Sequence, residues 1–455
     1  MKIFILNPFL FTAKLSYMAR KRQPLDLAYI ASLLRHDFEI KLLDANALNL
    51  SLNETISEIK EFNPNVLILT STPIDRWEVP SHKHLKLLID NIVKIVDNVK
   101  IPYIILLGAH GSVMPEWLLE KSRVNFLVRG EPEIVTDSLV RALASGGNIS
   151  QIKGISFLQD GQTVNNPPAE RNRDLDDLPF PAYDLLPMEK YHYTFPDIPT
   201  PFSLIMSSRG CPFNCTYCLK IMMAGPYIVR SPENVVAEIE YLVGNFGIKG
   251  IYFQDWEFLI NRERVAKICD LILEKGIDIK WGANARASDF EEGIVQKMKA
   301  AGCVRINIGF ETGSQKVLDL AKKQIKISDI EKAVKICRQF GMNIGIYSIL
   351  NLPGETRETI RETEKFLADN NLKTMVEPNL PIPYFGTPLY EMLKHQEGLD
   401  FNWENLEKYA GGVMVGQPAW LARLYRWHYK HKFNLGGWYF LKPEFYFNLV
   451  KFISK

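Results

Sequence analysis

Short apolar runs alternate with amphipathic stretches along residues 1–150. The apolar runs are rich in β-branched residues and read "KIFILNP" (2–8), "EIKLLDA" (39–45), "NVLILTST" (65–72), "PYIILLGA" (102–109) and "VNFLVRG" (124–130). Stretches of helical period separate them at 24–36, 51–62, 84–96 and 133–145. Strands that alternate with helices indicate βαβ units and a parallel sheet. We therefore predict an α/β, doubly wound sheet of the flavodoxin or Rossmann type, with its ligand at the carboxyl ends of the strands.

The next segment, 151–200, is predicted to be a hairpin followed by a linker. Residues 152–166 alternate around Asp160-Gly161, a pair that favours a type I′ turn. Residues 167–187 are rich in proline and aspartate and lack periodicity, which is typical of a segment that crosses between domains.

From residue 201 to 390 the alternation of strand and helix resumes with longer units. The strand candidates read "SLIMSSRG", "KGIYFQDW", "IKWGANAR", "RINIGFET", "IGIYSILN" and "TMVEPNLP". Ser231-Pro232 supplies an N-cap and a proline at the first helical position. Six such repeats predict a partial (β/α)6 barrel, in which reactive groups lie at the carboxyl ends of the strands.

Size and composition narrow the class of protein. A chain of 455 residues with 47% hydrophobic and 23% charged residues is typical of a soluble globular protein of two or three domains. The formal net charge of +2 gives no overall field that would attract nucleic acid. The apolar runs are too short to span a membrane, and the N-terminus reads as a strand instead of a signal peptide. We expect a cytoplasmic protein.

The segment 391–455 changes character and is predicted to be a small helical region. Residues 416–455 hold 12 of the chain's 51 aromatic residues, with seven Lys or Arg and one acidic residue. Two interpretations remain open for this basic amphipathic pattern. It would form a lid over the barrel mouth, which we favour, or a peripheral membrane contact that suits a lipid-like substrate.

Three of the six cysteines, Cys211, Cys215 and Cys218, lie within "RGCPFNCTYCLK" (209–220). A structural zinc site needs a fourth ligand, and a disulfide would leave one thiol over. Iron–sulfur clusters are bound by closely spaced thiolates, and three thiolates leave one iron of a four-iron cluster free. The remaining three cysteines lie inside helix or strand patterns and are predicted to be buried thiols: Cys269, Cys303 and Cys337.

The spacing Cys-x3-Cys-x-aromatic-Cys, with Tyr217 as the aromatic residue, resembles the signature of the radical S-adenosylmethionine (SAM) superfamily. The resemblance implies that the three cysteines hold a [4Fe–4S] cluster whose free iron chelates the methionine amino and carboxylate groups of SAM. Cleavage of SAM then gives a 5′-deoxyadenosyl radical, with electrons from a reductant such as flavodoxin or ferredoxin. Two further segments resemble this superfamily, "IGFETGSQ" (308–315) with Glu311 toward the ribose, and "ILNLPGET" (349–356) with Pro353 in a turn.

Four further residues at predicted strand ends are candidate SAM contacts. Asp255 and Glu257, in "FQDWEF", would accept hydrogen bonds from the methionine ammonium. Asn284 and Arg286 close the third strand, where the arginine would pair with the methionine carboxylate. Related enzymes often carry two acidic residues, a hydroxyl residue and Phe here, so Trp256 departs from the pattern.

Residues 106–143 resemble the cobalamin-binding domain that precedes many radical SAM barrels. The candidate cobalamin contacts are Pro8, Ser71, Gly108, His110, Gly130 and Glu131. Cobalamin enzymes with a histidine ligand to cobalt carry Asp-x-His-x-x-Gly, but position 108 is glycine instead of aspartate. His110 is therefore expected to contact corrin amides or to shape the loop.

Together these resemblances predict a cobalamin-dependent radical SAM methyltransferase that methylates an unactivated carbon or a phosphinate phosphorus through the 5′-deoxyadenosyl radical and methylcobalamin. The substrate is expected to be a small molecule or a lipid-like compound, with no nucleic acid partner. The alternative enzyme is an anaerobic oxidative cyclase of the magnesium-porphyrin type. The alternative that is not an enzyme is a cobalamin or redox sensor, which the open cysteine site disfavours.

Overall fold

The computed structural model describes residues 1–8, 21–72, 82–193, 197–220, 222–372, 376–379 and 381–395. The chain forms two compact units. The first comprises Met1–Pro212, Leu219–Ala283 and Ala300–Val304, and the second comprises Phe213–Cys218, Asn284–Lys299 and the chain from Arg305 onward. The lid or membrane contact predicted for 416–455 lies outside the described residues.

The first unit contains a seven-stranded sheet in the order β2-β1-β3-β4-β5-β6-β7. Its strands are β1 (Lys2–Asn7), β2 (Glu39–Asp44), β3 (Val66–Thr70), β4 (Tyr103–Leu107), β5 (Phe126–Val128), β6 (Ile155–Gln159) and β7 (Gln162–Asn165). Strands β1 to β5 are parallel. The order 2-1-3-4-5 is that of flavodoxin-like sheets, whose ligands bind where the order reverses between β1 and β3.

The predicted hairpin is confirmed and extends this sheet. Strands β6 and β7 pair antiparallel, and β6 also pairs antiparallel with β5. Asp160 and Gly161 have φ angles of 52° and 77°, as a type I′ turn requires at both central residues.

Helices of the first unit occupy the four predicted periodic segments at 24–36, 51–62, 84–96 and 133–145, and further helices lie outside those segments. The helices are α1 (Leu25–Leu34), α2 (Ala45–Leu48), α3 (Leu52–Phe62), α4 (His82–Asn98), α5 (Ala109–Val113), α6 (Pro115–Ser122), α7 (Pro132–Ser145), α8 (Pro232–Phe246) and α9 (Arg262–Glu274). Ser231 caps α8 by accepting from the backbone N–H of Asn234, which confirms the predicted cap.

After the linker, short strands again alternate with helices. The strands are β8 (Phe202–Ile205), β9 (Ser208–Arg209), β10 (Ile228–Val229), β11 (Gly250–Phe253), β12 (Lys280–Ala285), β13 (Cys303–Glu311), β14 (Asn343–Ile349) and β15 (Val376–Asn379). In the first unit β11 pairs parallel with β8 and β12, and β9 pairs antiparallel with β10. In the second unit β14 pairs parallel with β13 and β15. The remaining helices are α10 (Glu292–Ala300), α11 (Gln315–Leu320), α12 (Ile327–Gln339), α13 (Arg357–Asp369) and α14 (Pro388–Leu393).

The prediction of an α/β protein with parallel sheets is confirmed, whereas the doubly wound form, the partial barrel and the domain boundaries stay predictions. Cys269, Cys303 and Cys337 are buried and form no disulfide, as expected. In the described part of the chain, no helix is both long and apolar enough to cross a bilayer.

A buried charged network ties the predicted linker to α8 within the first unit. Arg230, 3% exposed, donates from Nη1 to Glu238, which is fully buried. Tyr183 of the linker donates to the other oxygen of the same carboxylate at 2.7 Å. Because a buried guanidinium stays charged, this pairing offsets a large desolvation cost.

Replacing Glu238 by glutamine should therefore destabilise the protein strongly, because Arg230 would lose its carboxylate partner. We expect Glu238→Gln to lower the free energy of unfolding by about 3 kcal/mol or more. The matched control is Glu240→Gln on the same helix, whose carboxylate pairs with Lys275 in an exposed ion pair and should change stability by less than about 1 kcal/mol. Equal losses in urea unfolding would contradict this account.

Candidate active site

The cysteine loop begins directly after the short strand β9. Gly210 has a φ of +83°, and a Cβ at this position would lie 2.5 Å from the carbonyl oxygen of Pro226, so only glycine fits. Cys211 belongs to the first unit, and Cys215 and Cys218 belong to the second. None of the three forms a disulfide; Cys211 and Cys215 are buried and Cys218 is half-buried.

Metal binding by these thiols is inferred from their chemistry and spacing. Among the described residues, no group of three or more His, Cys, Asp or Glu side chains already has the arrangement of a metal site. Three cysteines outside any disulfide within one short loop nevertheless supply the donor set that an iron–sulfur cluster uses.

Asp255, at the end of β11, fixes the backbone that leads into the loop. Its Oδ1 accepts from the backbone N–H of Ser207 at 2.7 Å, and its Oδ2 accepts from the hydroxyls of Ser207 and Ser208 at 2.5 and 2.7 Å. Burial raises the pKa of Asp255, while Arg264 and these donors oppose the increase. The structure thus shows Asp255 holding Ser207 and Ser208; its contact with SAM stays a prediction, as does that of Glu257, which is half-buried.

The second unit contains a cluster of charged and aromatic side chains around the cysteine loop. The guanidinium of Arg286, at the end of β12, lies 3.6 Å from the ring centroid of Phe213 and donates from Nη2 to the carbonyl of Lys323. Lys323 Nζ lies 2.9 Å from Glu311 Oε1, and both side chains are 7% exposed. Burial first, then the charge of Glu311, raises the pKa of Tyr217 well above its usual range.

Arg286 retains buried donors that the described residues do not satisfy. It is 1% exposed, and its Nε and Nη1 have no hydrogen-bond acceptor in the described part of the chain. A guanidinium cannot lose its proton in a protein, and leaving buried donors unpaired costs free energy. The side chain is therefore ready to receive an anion such as a carboxylate.

The two remaining predicted SAM residues are both buried. Asn284 is buried one residue before the last residue of β12, and Pro353 is buried in the turn after β14. This turn packs close to the loop, because Leu352 joins Val317 and Ala321 in a small apolar core against which Tyr217 packs.

The carboxyl edge of the first sheet brings several predicted cobalamin residues together. Ser71 follows β3 and Gly108 follows β4; a Cβ on Gly108 would lie 2.5 Å from Ser71 Oγ. His110 Nδ1 lies 3.1 Å from the same oxygen and 3.2 Å from Thr72 Oγ1. Burial lowers the pKa of His110 to about 3, so its imidazole is neutral near pH 7.

The two remaining strand ends carry Pro8 and Gly130. Pro8 is buried immediately after β1, and Gly130, at a φ of +79°, donates its backbone N–H to Ser112 Oγ at 2.8 Å. The neighbouring Glu131 accepts from Arg171 Nε at 2.7 Å. The Glu131 carboxylate is thus engaged with protein, and its contact with cobalamin stays a prediction.

Comparisons with known proteins identify the family of this chain. The family model of the radical SAM superfamily matches residues 205–367. An uncharacterized methyltransferase from Pyrococcus horikoshii is 31% identical over 407 residues, which are 89% of this chain and 85% of that protein. The chain belongs to the radical SAM superfamily.

Two further similarities cover most of the chain. The anaerobic magnesium-protoporphyrin IX monomethyl ester cyclase of Cereibacter sphaeroides is 26% identical over 84% of this chain and 61% of its own length. The structure of the radical SAM methyltransferase TsrM from Kitasatospora setae, with cobalamin and a [4Fe–4S] cluster bound, has a TM-score of 0.67 at 19% identity. It covers 86% of this chain and 74% of that chain, and this likeness shows the fold.

Membership confirms the radical SAM prediction and the enzymatic class. The superfamily uses SAM and a [4Fe–4S] cluster, and the residues present fit both: three cysteines outside any disulfide for the iron, and the unsatisfied donors of Arg286 for an anionic group of SAM. The role of each individual residue stays a prediction.

Sequence reasoning did not single out Lys323, which lies between Arg286 and Glu311. In the sequence Lys323 is one of two adjacent lysines after α11, and nothing in that pattern shows which of the two is buried. One indirect signal is Gly309, where a Cβ would lie 2.6 Å from Lys323 Nζ and 2.7 Å from Glu311 Oε1.

Glu355, in the turn before α13, gives this radical SAM enzyme a testable pH dependence. Burial raises its pKa from 4.5 to about 7, although the backbone N–H of Asn351 donates to the carboxylate and opposes the increase. The folded protein therefore keeps this proton up to higher pH than the unfolded chain. The resulting stabilisation is complete below pH 4.5 and is lost as the pH rises through about 7.

Glu355→Gln removes that titration, so only the parent loses this stabilisation as the pH rises. We therefore expect the difference in melting temperature, variant minus parent, to increase between pH 5 and pH 8. The exposed Glu358→Gln serves as the control and should show no such change. Parallel melting curves for parent and Glu355→Gln across this range would contradict the burial of an ionisable carboxyl.

Proposed function

We propose that this radical SAM enzyme is a cobalamin-dependent methyltransferase acting on a small-molecule or lipid-like substrate. The observation that carries the proposal is the 2-1-3-4-5 strand order, with Ser71, Gly108 and His110 gathered beside its switch point. The names of two relatives support it, because the Pyrococcus protein is called a methyltransferase and TsrM is a methyltransferase with bound cobalamin.

The residues of the first sheet fit a large planar cofactor laid on its carboxyl edge. Pro8, Ser71, Gly108 and Gly130 follow β1, β3, β4 and β5, and parallel strands place such residues along one edge. His110 is fully buried with Nδ1 bonded to two hydroxyls of its own unit. We assign it the role of shaping the Gly108 loop, with no protein ligand to cobalt from this residue.

In this proposal the first sheet is the doubly wound cobalamin domain and the later βα units form the partial barrel. When bound, SAM with its cluster supplies a hydrogen-abstracting radical, and cobalamin supplies a transferable methyl group. The protein's own contribution is to bind, orient and exclude water.

Each side chain of the second-unit cluster then has one task. Arg286 donates its free Nε and Nη1 to the methionine carboxylate of SAM, as a charge-assisted pair. Glu311, held by Lys323, accepts from the ribose hydroxyls. Tyr217 and Phe213 cover these charges with aromatic surface and keep water away from them.

The second candidate is an oxidative cyclase. It is favoured by the similarity to the Cereibacter cyclase over 84% of this chain. Both candidates use the same cofactors, so product analysis separates them: a transferred methyl group on one side, and a new ring without methyl transfer on the other.

The first test is the cofactor content after anaerobic purification from cobalamin-supplied cells. We expect about four irons and about one corrin per chain. The variant Cys211→Ala/Cys215→Ala/Cys218→Ala should lose the iron and keep the corrin, because the two sites use different residues.

Cys337→Ala removes a buried thiol elsewhere and should keep both cofactors. Iron without corrin in the parent protein would overturn the cobalamin assignment and leave the radical SAM assignment intact. If Cys337→Ala also lost its iron, the loss of iron from the triple cysteine variant would no longer be evidence that Cys211, Cys215 and Cys218 bind the cluster.

A second test addresses Arg286. Because its free donors await an anion, Arg286→Gln should weaken SAM binding about 10- to 100-fold, the cost of a lost charge-assisted pair. The iron content should not change. Equilibrium dialysis of the iron-loaded protein with SAM measures the effect.

Arg338→Gln is the matched control, since Arg338 is an exposed arginine of α12 whose guanidinium donates to backbone carbonyls. Unchanged SAM affinity in Arg286→Gln would exclude the carboxylate role. An equal loss in Arg338→Gln would show a general effect of removing positive charge.

A further inference from the structure

Four buried or nearly buried charged residues of the first unit have no task in the proposed reaction. Arg209 Nη2 donates to Glu133 Oε1 at 2.7 Å, and its Nη1 donates to Glu133 Oε2 at 3.2 Å. Arg209 Nη1 also lies 3.5 Å from Glu131 Oε2, and Glu131 pairs with Arg171 at 2.7 Å. The side chains of Arg209 and Glu133 are both 2% exposed. We call these four residues the anchor cluster.

The anchor cluster joins two segments that are distant in sequence. Arg209 is the last residue of β9, two positions before Cys211. Glu131 and Glu133 begin α7 immediately after Gly130, at the carboxyl end of β5. One ion cluster therefore connects the start of the cysteine loop to a strand end of the proposed cobalamin edge.

The connection continues by hydrogen bonds to the Gly108 loop. The backbone N–H of Gly130 donates to Ser112 Oγ at 2.8 Å, and that hydroxyl donates to the carbonyl of Gly108 at 3.3 Å. A continuous set of contacts inside the first unit thus runs from Gly108 through Glu131 to Arg209 and Cys211.

Arg171 holds the other side of the same turn. Its Nη1 donates to the carbonyl of Pro226 at 2.6 Å. A Cβ on Gly210 would lie 2.5 Å from that carbonyl oxygen and 2.8 Å from Arg171 Nη1. Gly210, which follows Arg209 in the chain, therefore packs closely against Arg171 and the carbonyl of Pro226. The backbone at Cys211 has little conformational freedom as a result.

Stability alone does not account for such a cluster. Burying several charges is costly, and well-packed apolar residues are often equally stable in their place. What two-pronged arginine–carboxylate pairs add is a fixed relative orientation of the groups they join.

We propose that Arg209, with Glu131, Glu133 and Arg171, is a positioning device that sets the location of Cys211, at the start of the cysteine loop, relative to the cobalamin edge. The inference rests on the proposed function, since it gives the device two cofactors to align. In this proposal the four residues act through the backbone at Cys211 and at Gly130 and contact neither cofactor, so Glu131 takes this role in place of its predicted contact with cobalamin. An error of about 1 Å in such alignment costs about 100-fold in rate.

The test separates positioning from folding with one double variant. Arg209→Met/Glu133→Leu replaces the buried pair by apolar residues, so its melting temperature should stay close to that of the parent. Arg209→Met alone leaves Glu133 buried without its partner and should melt lower. The control Arg35→Gln/Asp184→Asn removes a two-pronged pair of the same unit that is exposed.

The first readout uses the protein without cofactors. Hydrogen exchange should show loss of protection at 207–212 and 129–134 in the double variant, with the rest of the first unit unchanged. The control pair should exchange like the parent. A double variant with parent-like exchange at both segments would overturn the positioning role.

The second readout uses the holoprotein purified with its cluster and corrin. Pulsed electron paramagnetic resonance of the reduced cluster beside cob(II)alamin reports their separation through relaxation enhancement. We expect one narrow separation in the parent and a shifted or broadened one in the double variant, at equal iron and corrin content. Arg209→Lys, which keeps the charge but loses the two-pronged geometry, should lie between them.

The outcomes are distinguishable. A parent protein that binds iron but no corrin overturns the proposed function, and this inference with it. A double variant that binds both cofactors at the parent separation overturns the positioning role alone. The positioning role is supported if the double variant regains the melting temperature that Arg209→Met loses but does not regain the parent distance between the cluster and cobalamin. If the pair were only structural, the double variant would regain both.

Discussion

The position of the cysteine loop depends on buried charges, because the described residues between β9 and β10 form no helix or strand of their own. Asp255 accepts three hydrogen bonds from Ser207 and Ser208, so the chain that enters the loop is fixed. In the second unit, the backbone N–H of Thr216 donates to the carbonyl of Ala321, and Arg286 lies against Phe213. These contacts anchor the chain that enters the loop in the first unit and the middle of the loop in the second unit.

Three of the buried arginines are of two kinds, which differ in how completely their donors are satisfied. Arg209 and Arg230 each face a buried carboxylate of their own unit, so their charge is already compensated. Arg286 has two donors without an acceptor among the described residues. Because an unpaired buried charge is unfavourable, the first kind suits a permanent structural task and the second suits a ligand. This contrast is the physical basis for assigning Arg286 to SAM and Arg209 to alignment.

Much of the fold was predictable because its signals are local. The apolar runs became β1 to β5, Asp160-Gly161 became the hairpin turn, and Ser231 became the cap of α8. The cysteine motif was also a local signal, because the close spacing of three thiolates is by itself what indicates an iron–sulfur cluster. The partners of Asp255, Arg209 and Lys323 were not predictable, because Arg209 and Glu133 are 76 residues apart and meet only after the sheet and α7 are assembled. Sequence patterns name the charged residues and leave their pairing to tertiary structure.

Glycines beside the site carry part of that missing information. At Gly210 a side chain would collide with the carbonyl of Pro226 and with Arg171, and at Gly309 with Lys323 and Glu311. Each glycine thus marks a point where a charged side chain lies 2.8 Å or less from the position that a Cβ would take, which leaves no room for a side chain. Such a glycine does not identify which charged residue contacts it. It does indicate that a side chain packs closely against the backbone near Cys211 and near Glu311. In both places charged residues of the site make this contact, Arg171 at Gly210 and Lys323 with Glu311 at Gly309.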